Sequence, residues 1–348
     1  MKNLLLVIFF TLLNFQFSIA DEYIKQSQVE MTINGHQLNT LYQYEFYQPF
    51  NQEHFNFVKN QIGVVFPPFS IVSYKMSEKG NTIFDVKYRI GEFGERVYFD
   101  TNQKALYHLI ISGDSNSFGE GCNDSQTLDF FLQNSLTNYQ RYNYSHRGGG
   151  PNNTLALFET FSINKKVKET SGIMIYNFYT NFLFQRTIGS KESIKWNEYS
   201  PFYYLNENGE IKRNGSFRHR PLTYLYKFIN LIPFSELLFP ELPRIHDHHV
   251  FFVAKLLEKI QHKYLEQFPQ GKFIVILNNF PKENVSENSK LLSKYLDQLQ
   301  VKSASITLKN PEQLHFVDLH LNPRGHQQEA EEILKVLLLN DFISDKKH

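Results

Sequence analysis

The stretch ALYHLIISGDSNSFGEGCNDSQTL, residues 105–128, passes from an apolar run into a Gly-Asp-Ser corner at Gly113. The apolar run predicts a buried strand, and the glycine and aspartate predict a turn directly after it. Ser115 therefore follows the end of a buried strand. A serine in this place is either one more polar turn residue or a nucleophile, and the rest of the chain has to distinguish the two.

The same strand pattern recurs toward the C-terminus. SGIMIYNFY, KFIVILN and SASITLK are further short apolar runs that predict strands. Stretches of helical period separate or follow them: LDFFLQNSL, NTLALFETF, VFFVAKLLEKIQHKYLEQF, NSKLLSKYLDQLQ and EAEEILKVLLLNDF. Alternating strands and helices predict an α/β fold, in which a parallel sheet carries helices on both faces. Active groups of such sheets collect at the carboxyl ends of the strands, where Ser115 is expected.

Two segments differ from this alternation. Residues 21–105 contain TIFDVKYRI and ERVYFD, whose period of two predicts a small β-rich N-terminal region before a domain at 106–348. Residues from about 190 to 247 interrupt the domain. Asn208-Gly209 and Asn214-Gly215 both lie there and are strong hairpin signals. We therefore expect an inserted β-hairpin in this segment.

The first 20 residues, MKNLLLVIFFTLLNFQFSIA, have a basic start, an apolar middle and a small-residue exit. This layout predicts a cleaved signal peptide and a secreted or periplasmic product without an integral membrane segment. Without Lys2 the count of Lys and Arg falls from 36 to 35 and equals that of Asp and Glu. A neutral chain does not favour nucleic-acid binding. The single cysteine, Cys122, excludes an internal disulfide and cysteine-based zinc sites.

A serine nucleophile needs a base, and the base needs an orienting partner. HFVDLHLNPRGHQQEA, residues 315–330, supplies Asp318 and His320 two positions apart. In an extended segment these two side chains point the same way, so the carboxylate can fix the imidazole. His315 and His326 are alternative bases in the same stretch. The cluster HDHHV at 246–250 is interpreted as a solvated helix start in preference to a metal site.

Donors for an oxyanion are also available. Gly148, Gly149 and Gly150 follow a short apolar run, and glycine lets the backbone approach a substrate closely. Asn181 comes just after the predicted strand SGIMIYNFY and offers an amide. Taken alone, each feature is more typical of an ordinary loop or turn than of an oxyanion hole.

Taken in order, these segments resemble the SGNH, or GDSL-type, hydrolase family. GDSNSFGEGCNDSQTL resembles its first block, which implies that Ser115 is the nucleophile. YNYSHRGGGPNNTLALFE resembles its second block, which implies that the Gly148 N–H lines the oxyanion hole. The resemblance also implies a three-layer α/β/α sandwich of the flavodoxin-like kind. It implies no metal and no organic cofactor.

Two later blocks complete the resemblance. YNFYTNFLFQRTIG is similar to the third block and implies Asn181 as a second donor, although Tyr-Thr-Asn-Phe stands where the family has Gly-x-Asn-Asp. DLHLNPRGHQQEAEEIL is similar to the fifth block and implies Asp318 and His320 as acid and base, one residue closer together than usual.

The expected function is a secreted serine esterase that cleaves an acylated glycan, a lipid or a small ester. One alternative keeps the site but transfers the acyl group to a glycan hydroxyl. Another is a catalytically inactive glycan-binding or structural protein on the same scaffold, which the altered third block motivates. The sequence does not specify an oligomeric state.

Overall fold

The computed structural model describes residues 26–33, 36–99, 102, 104–180, 182–239, 242–279, 286–310 and 313–343. The predicted signal peptide, residues 1–20, lies outside these residues, and so does Asn181. No helix within the described ranges is long and apolar enough to cross a membrane.

The described chain contains the following strands: β1 Gln26–Ile33, β2 His36–Phe46, β3 Ser70–Glu78, β4 Asn81–Ile90, β5 Arg96–Val97, β6 Tyr107–Ser112, β7 Tyr139–Asn143, β8 Gly172–Tyr179, β9 Pro201–Leu205, β10 Ile211–Ser216, β11 Lys272–Asn278 and β12 Ser303–Ile306. Its α-helices are α1 Gln52–Ile62, α2 Ser115–Phe118, α3 Leu128–Ser135, α4 Pro151–Thr160, α5 Leu183–Ile188, α6 Lys191–Asn197, α7 Pro221–Asn230, α8 Ser235–Leu238, α9 Asp247–Gln267, α10 Glu287–Gln298 and α11 Pro323–Leu339.

The sheet has the order β1-β2-β3-β4-β5-β7-β6-β8-β11-β12. Its second half, β7-β6-β8-β11-β12, is parallel throughout. The chain leaves β6 toward β7 on one side and later returns to β8 on the other. The strand order therefore switches direction at β6, and a crevice forms at the carboxyl end of that strand. Ser115 follows β6 directly.

Apolar side chains of the parallel strands alternate between two helical layers. Leu109 and Ile111 of β6 face a core built with α3 and α11, whereas Ile110 faces a core built with α4, α9 and α10. Strands buried on both faces read as continuous apolar runs, which explains the pattern in the sequence. The predicted α/β fold with helices on both faces of a parallel sheet is confirmed.

The N-terminal strands extend this sheet, a connection that the sequence pattern did not predict. β1 to β5 pair antiparallel in chain order, and β5 joins β7 through the pair Arg96 and Asn143. Their own core, centred on Tyr74 and Tyr88, also contacts Phe118 just beyond Ser115. The antiparallel half therefore reaches the carboxyl end of β6.

In the segment from 190 to 247, β9 and β10 form an antiparallel hairpin. Gly209 has a φ of 72° in its turn, as the Asn208-Gly209 signal predicts. The prediction for Asn214-Gly215 is wrong. Gly215, with a φ of 68°, lies inside β10, where the pairing register shifts between Arg213 and Ser216. A positive φ suits a bulge as well as a turn, so the dipeptide alone does not distinguish them.

Candidate active site

Ser115 is the first residue of α2, and a tight corner formed by Gly113 and Asp114 separates it from the end of β6. The Asp114 side chain accepts a hydrogen bond from the Asn116 N–H at 3.0 Å and so caps α2. A side chain at Gly113 would come within 2.4 Å of Ser117 Oγ and 2.8 Å of the Asn177 carbonyl. Glycine is therefore required for the chain to turn here. Ser115 itself is only 4% exposed.

Asp318 and His320 are held together by a turn, not by the extended segment that the sequence predicts. Leu319 between them has a φ of 71°, and the Phe316 N–H donates to the His320 carbonyl at 2.9 Å. Asp318 Oδ1 also accepts from the His320 backbone N–H at 3.2 Å. Aspartate commonly bonds the backbone two residues on, which stabilises such a turn. A left-handed leucine is strained, and strain of this kind clusters at functional sites.

The three side chains form a continuous chain of contacts. Ser115 Oγ lies 2.9 Å from His320 Nε2, and His320 Nδ1 lies 2.8 Å from Asp318 Oδ2. The alternative bases are elsewhere: the His326 side chain is fully buried against Glu329, and His315 pairs with Leu321 in a short bridge. Of the three histidines, it is His320 that the fold places against Ser115.

Backbone contacts fix the two loops to each other. The Leu321 N–H donates to Asn116 Oδ1 at 2.9 Å, and Cys122 Sγ lies 3.6 Å from the Leu321 carbonyl. Cys122 is buried and packs between the loops. The hydrogen bond between Asn116 and Leu321 thus joins the neighbours of Ser115 and His320. It holds the two loops together independently of the contact between Ser115 and His320.

Gly148 lies in the loop that follows β7. The His146 N–H donates to the Gly113 carbonyl at 3.0 Å, which holds this loop beside the Ser115 corner. Gly148 has a φ of 64°, and a side chain there would meet the Trp196 ring at 2.5 Å. Within the described residues its N–H donates no hydrogen bond, and neither does the Ser115 N–H. Both donors are therefore available for another acceptor, whereas Asn181 lies outside the described residues.

A second carboxylate, missed by the sequence analysis, also faces His320. Glu120 Oε2 lies 3.6 Å from His320 Nε2, and its side chain is only 4% exposed. Arg147 pairs with it through Nε at 2.8 Å and through a second contact to Oε1. Both residues stand within the quoted blocks, but nothing in their spacing indicates that they pair.

Arg147 is enclosed by aromatic rings of the N-terminal region. Its guanidinium lies 4.6 Å from the ring centre of Phe66 and 5.4 Å from that of Tyr42. Tyr42 stacks on Tyr74 with 4.3 Å between ring centres. Stacking and charge together hold the guanidinium in one place. The N-terminal strands thereby fix Glu120 beside the imidazole.

A second ion pair supports the other side of the corner. Arg186 Nη1 lies 3.0 Å from Asp114 Oδ2, and its guanidinium lies 5.1 Å from the Trp196 ring centre. Trp196 belongs to α6, so the inserted segment contributes a wall beside Gly148.

The charges around His320 change its acidity. Burial disfavours a charged ring, but the carboxylates of Asp318, Glu120 and Asp114 outweigh it and raise the pKa of His320 from 6.5 to about 9. Burial also disfavours charge on Asp318, and the adjacent His320 outweighs it, so the pKa of Asp318 is lowered. The pair is therefore held in its charged form near neutral pH.

Arg96 clamps the loop behind the site, and its loss should be costly. Its fully buried guanidinium donates to the carbonyls of Phe118, Gly119 and Cys122 and to Asp124. Arg96→Met leaves these acceptors unpaired, so we expect the free energy of unfolding to fall by about 3–5 kcal/mol.

Denaturant unfolding of Arg96→Met measures this loss, with the exposed Arg244→Met as control. The control should stay within about 0.5 kcal/mol of wild type. Equal stability of the two variants would show that the clamp contributes nothing.

No protein-family model matches the chain, and no curated protein matches it. Among solved structures, the chain is similar to an acetyl xylan esterase from the rumen bacterium Butyrivibrio proteoclasticus, with 11% identity, a TM-score of 0.42 and coverage of 81% of this chain and 73% of that one.

Two further solved structures show the same degree of similarity. A family 2 carbohydrate esterase with a carbohydrate-binding domain, from Corynascus thermopiles (Myceliophthora fergusii), has 12% identity, a TM-score of 0.40 and coverage of 79% and 74%. A G-D-S-L family lipolytic protein from Veillonella parvula has 15% identity, a TM-score of 0.36 and coverage of 66% and 97%. At these low sequence identities, the function has to be derived from the side chains of the chain itself.

Proposed function

We propose that the protein is a serine hydrolase that cleaves carboxylic esters, with Ser115 as nucleophile, His320 as base and Asp318 as the residue that orients the base. The observation that carries this proposal is the contact chain from Ser115 Oγ to His320 Nε2 and from His320 Nδ1 to Asp318 Oδ2, at 2.9 and 2.8 Å. A serine hydroxyl is a weak nucleophile until a base at hydrogen-bond distance accepts its proton. We propose that the protein acts after export, as the signal peptide predicted at 1–20 suggests.

In the first half of the reaction, Ser115 Oγ attacks the ester carbonyl carbon while His320 Nε2 accepts the hydroxyl proton. The C–O bond to the alcohol then breaks, and His320 returns the proton to the leaving oxygen. The product is an acyl-enzyme on Ser115. In the second half, His320 removes a proton from water, the hydroxide attacks the acyl carbon, and the acid leaves as Ser115 regains its proton.

The negative oxygen formed in each half needs fixed donors. We assign this role to the Ser115 and Gly148 N–H groups, which have no other acceptor among the described residues. Asn181 is the proposed third donor. Each such donor contributes about 10²–10³-fold to turnover because it is already oriented when the charge develops.

Ester turnover should rise steeply with pH. Only neutral His320 can accept the serine proton, and a pKa of about 9 leaves about 1% of it neutral at pH 7. We therefore expect kcat/KM to rise about 50-fold between pH 7 and pH 9. Glu120→Gln removes one of the three carboxylates that raise the pKa of His320, and those of Asp318 and Asp114 remain. The acid limb of the pH profile should therefore move down by about one pH unit.

The pH profiles of wild type, Glu120→Gln and the exposed control Glu287→Gln test this. A uniform loss of turnover in Glu120→Gln, with an unmoved acid limb, would mean that Glu120 supports the fold only.

The proposed reaction is tested with p-nitrophenyl acetate at pH 9, with and without a monosaccharide acceptor. We expect p-nitrophenol and acetate in equal amounts under both conditions. Acetylated sugar formed in place of acetate would show that the same site transfers the acyl group to the sugar instead of hydrolysing the ester. No turnover of acetate, butyrate or longer esters would contradict the proposal and favour a binding protein.

A further inference from the structure

An exposed apolar surface covers α7, α8 and the turn between them. Eighteen large hydrophobic side chains are exposed in the described chain, and ten of them fall within residues 222–239. We call these ten the α7–α8 surface: Leu222, Tyr224, Leu225, Phe228, Leu231, Ile232, Phe234, Leu237, Leu238 and Phe239. Concentrations of this kind mark an interaction site.

Among the side chains that the structure describes, the α7–α8 surface offers almost no hydrogen-bonding groups. The described exposed side chains between 221 and 239 are apolar, with the exceptions of Lys227 and the Tyr224 hydroxyl. The small polar residues there point inward: Thr223 is buried and donates to the Phe217 carbonyl at 2.6 Å, and Ser235 is buried. Protein interfaces carry about one hydrogen bond per 100–200 Å². Hydrocarbon needs none, so the surface suits lipid better than a protein.

Positive charge borders the apolar side chains. Lys59 and Arg218 both lie over the Tyr199 ring, at 4.5 and 5.2 Å from its centre. Lys227 pairs with Glu198, whose backbone carbonyl also accepts from the Arg218 N–H. Three cations and one carboxylate leave this edge positive, which complements anionic headgroups.

We propose that the α7–α8 surface docks on a lipid bilayer with anionic headgroups, its apolar side chains reaching the acyl boundary and the basic edge contacting the headgroups. An interfacial helix pair with Phe and Leu on one side and basic residues at the margin has the properties required. The helix pair is fixed to the body through a small core of Ile194, Phe217 and Tyr226.

This site would bring the crevice close to the bilayer. α7 packs on α6, whose Trp196 lies against Gly148 and Arg186. If the proposed esterase activity holds, esters held at a lipid surface are the substrates presented to it. Lipid binding itself does not depend on that activity, so a Ser115→Ala variant should bind vesicles like wild type.

Sedimentation with phosphatidylglycerol vesicles tests the proposal on the purified protein. The matched variants are Leu231→Ser and Leu339→Ser, because the two leucines are 81% and 83% exposed and undergo the same chemical change. We expect Leu231→Ser to weaken binding about tenfold and Leu339→Ser to leave it unchanged. Any vesicle binding through residues 1–20 is the same in both variants and does not affect the comparison.

The basic edge has its own test. Lys59→Gln and Arg218→Gln should each weaken binding to phosphatidylglycerol vesicles about fivefold, with no effect on phosphatidylcholine vesicles. Equal vesicle binding by wild type, Leu231→Ser and a Phe228→Ser/Leu231→Ser/Phe234→Ser variant would overturn the proposal. So would a wild-type dimer in light scattering that Leu231→Ser converts to a monomer while lipid binding is absent.

Discussion

Ser115→Ala is expected to lower kcat/KM for a p-nitrophenyl ester by about 10⁴-fold or more. Without the hydroxyl no acyl-enzyme forms, and what remains is attack by water assisted only by the oxyanion donors. The loss should be in kcat with KM nearly unchanged, because the hydroxyl is too small to contribute much to binding. Steady-state kinetics at pH 9 measures both constants.

Ser117→Ala is the matched control for Ser115→Ala. It lies two residues further along α2, and its buried Oγ has no hydrogen-bond partner among the described residues. Removing an unpaired hydroxyl should leave stability and turnover close to wild type. Equal turnover by Ser115→Ala and Ser117→Ala would exclude Ser115 as the nucleophile.

Asp318→Asn is expected to lower kcat by about 10⁴-fold. Asp318 Oδ2 accepts from His320 Nδ1 at 2.8 Å, which leaves Nε2 as the acceptor for the serine proton. An amide in its place can turn its NH₂ toward the ring and favour the wrong tautomer. It also removes the charge that stabilises the imidazolium formed as Ser115 attacks.

The exposed Asp85→Asn serves as control and should retain full turnover. Because the triad acts as a unit, Ser115→Ala/Asp318→Asn should be no slower than Ser115→Ala. A further large loss in the double variant would mean that Asp318 acts independently of Ser115, contrary to the proposed mechanism.

Local sequence patterns predicted the parallel sheet, and together with the family resemblance they indicated the three residues now found in contact. The central strands β6, β8 and β11 are buried on both faces, so they stand out as apolar runs. Carboxyl ends of parallel strands meet at one edge, which predicts that Ser115 and His320 approach each other. The extended backbone predicted at Leu319 is wrong, but Asp318 and His320 are so close in sequence that their side chains still meet.

What the sequence did not predict depends on contacts between distant segments. Glu120 and Arg147 are 27 positions apart, and Tyr42 is a further 105 positions from Arg147. No periodicity links charges so widely spaced. The joining of β5 to β7 is likewise a single residue pair, Arg96 with Asn143, which has no signature along the chain. Both the ion pair and the strand pair become visible only in the folded structure.

Covalent labelling with a fluorophosphonate identifies the nucleophile, because this reagent reacts with a serine only when an adjacent base has activated it. We predict one label per chain, on the peptide that contains Ser115, with full labelling in Ser117→Ala and slow labelling in Asp318→Asn. A protein that hydrolyses esters but carries the label on another residue, or carries none, would show that Ser115 is not the nucleophile.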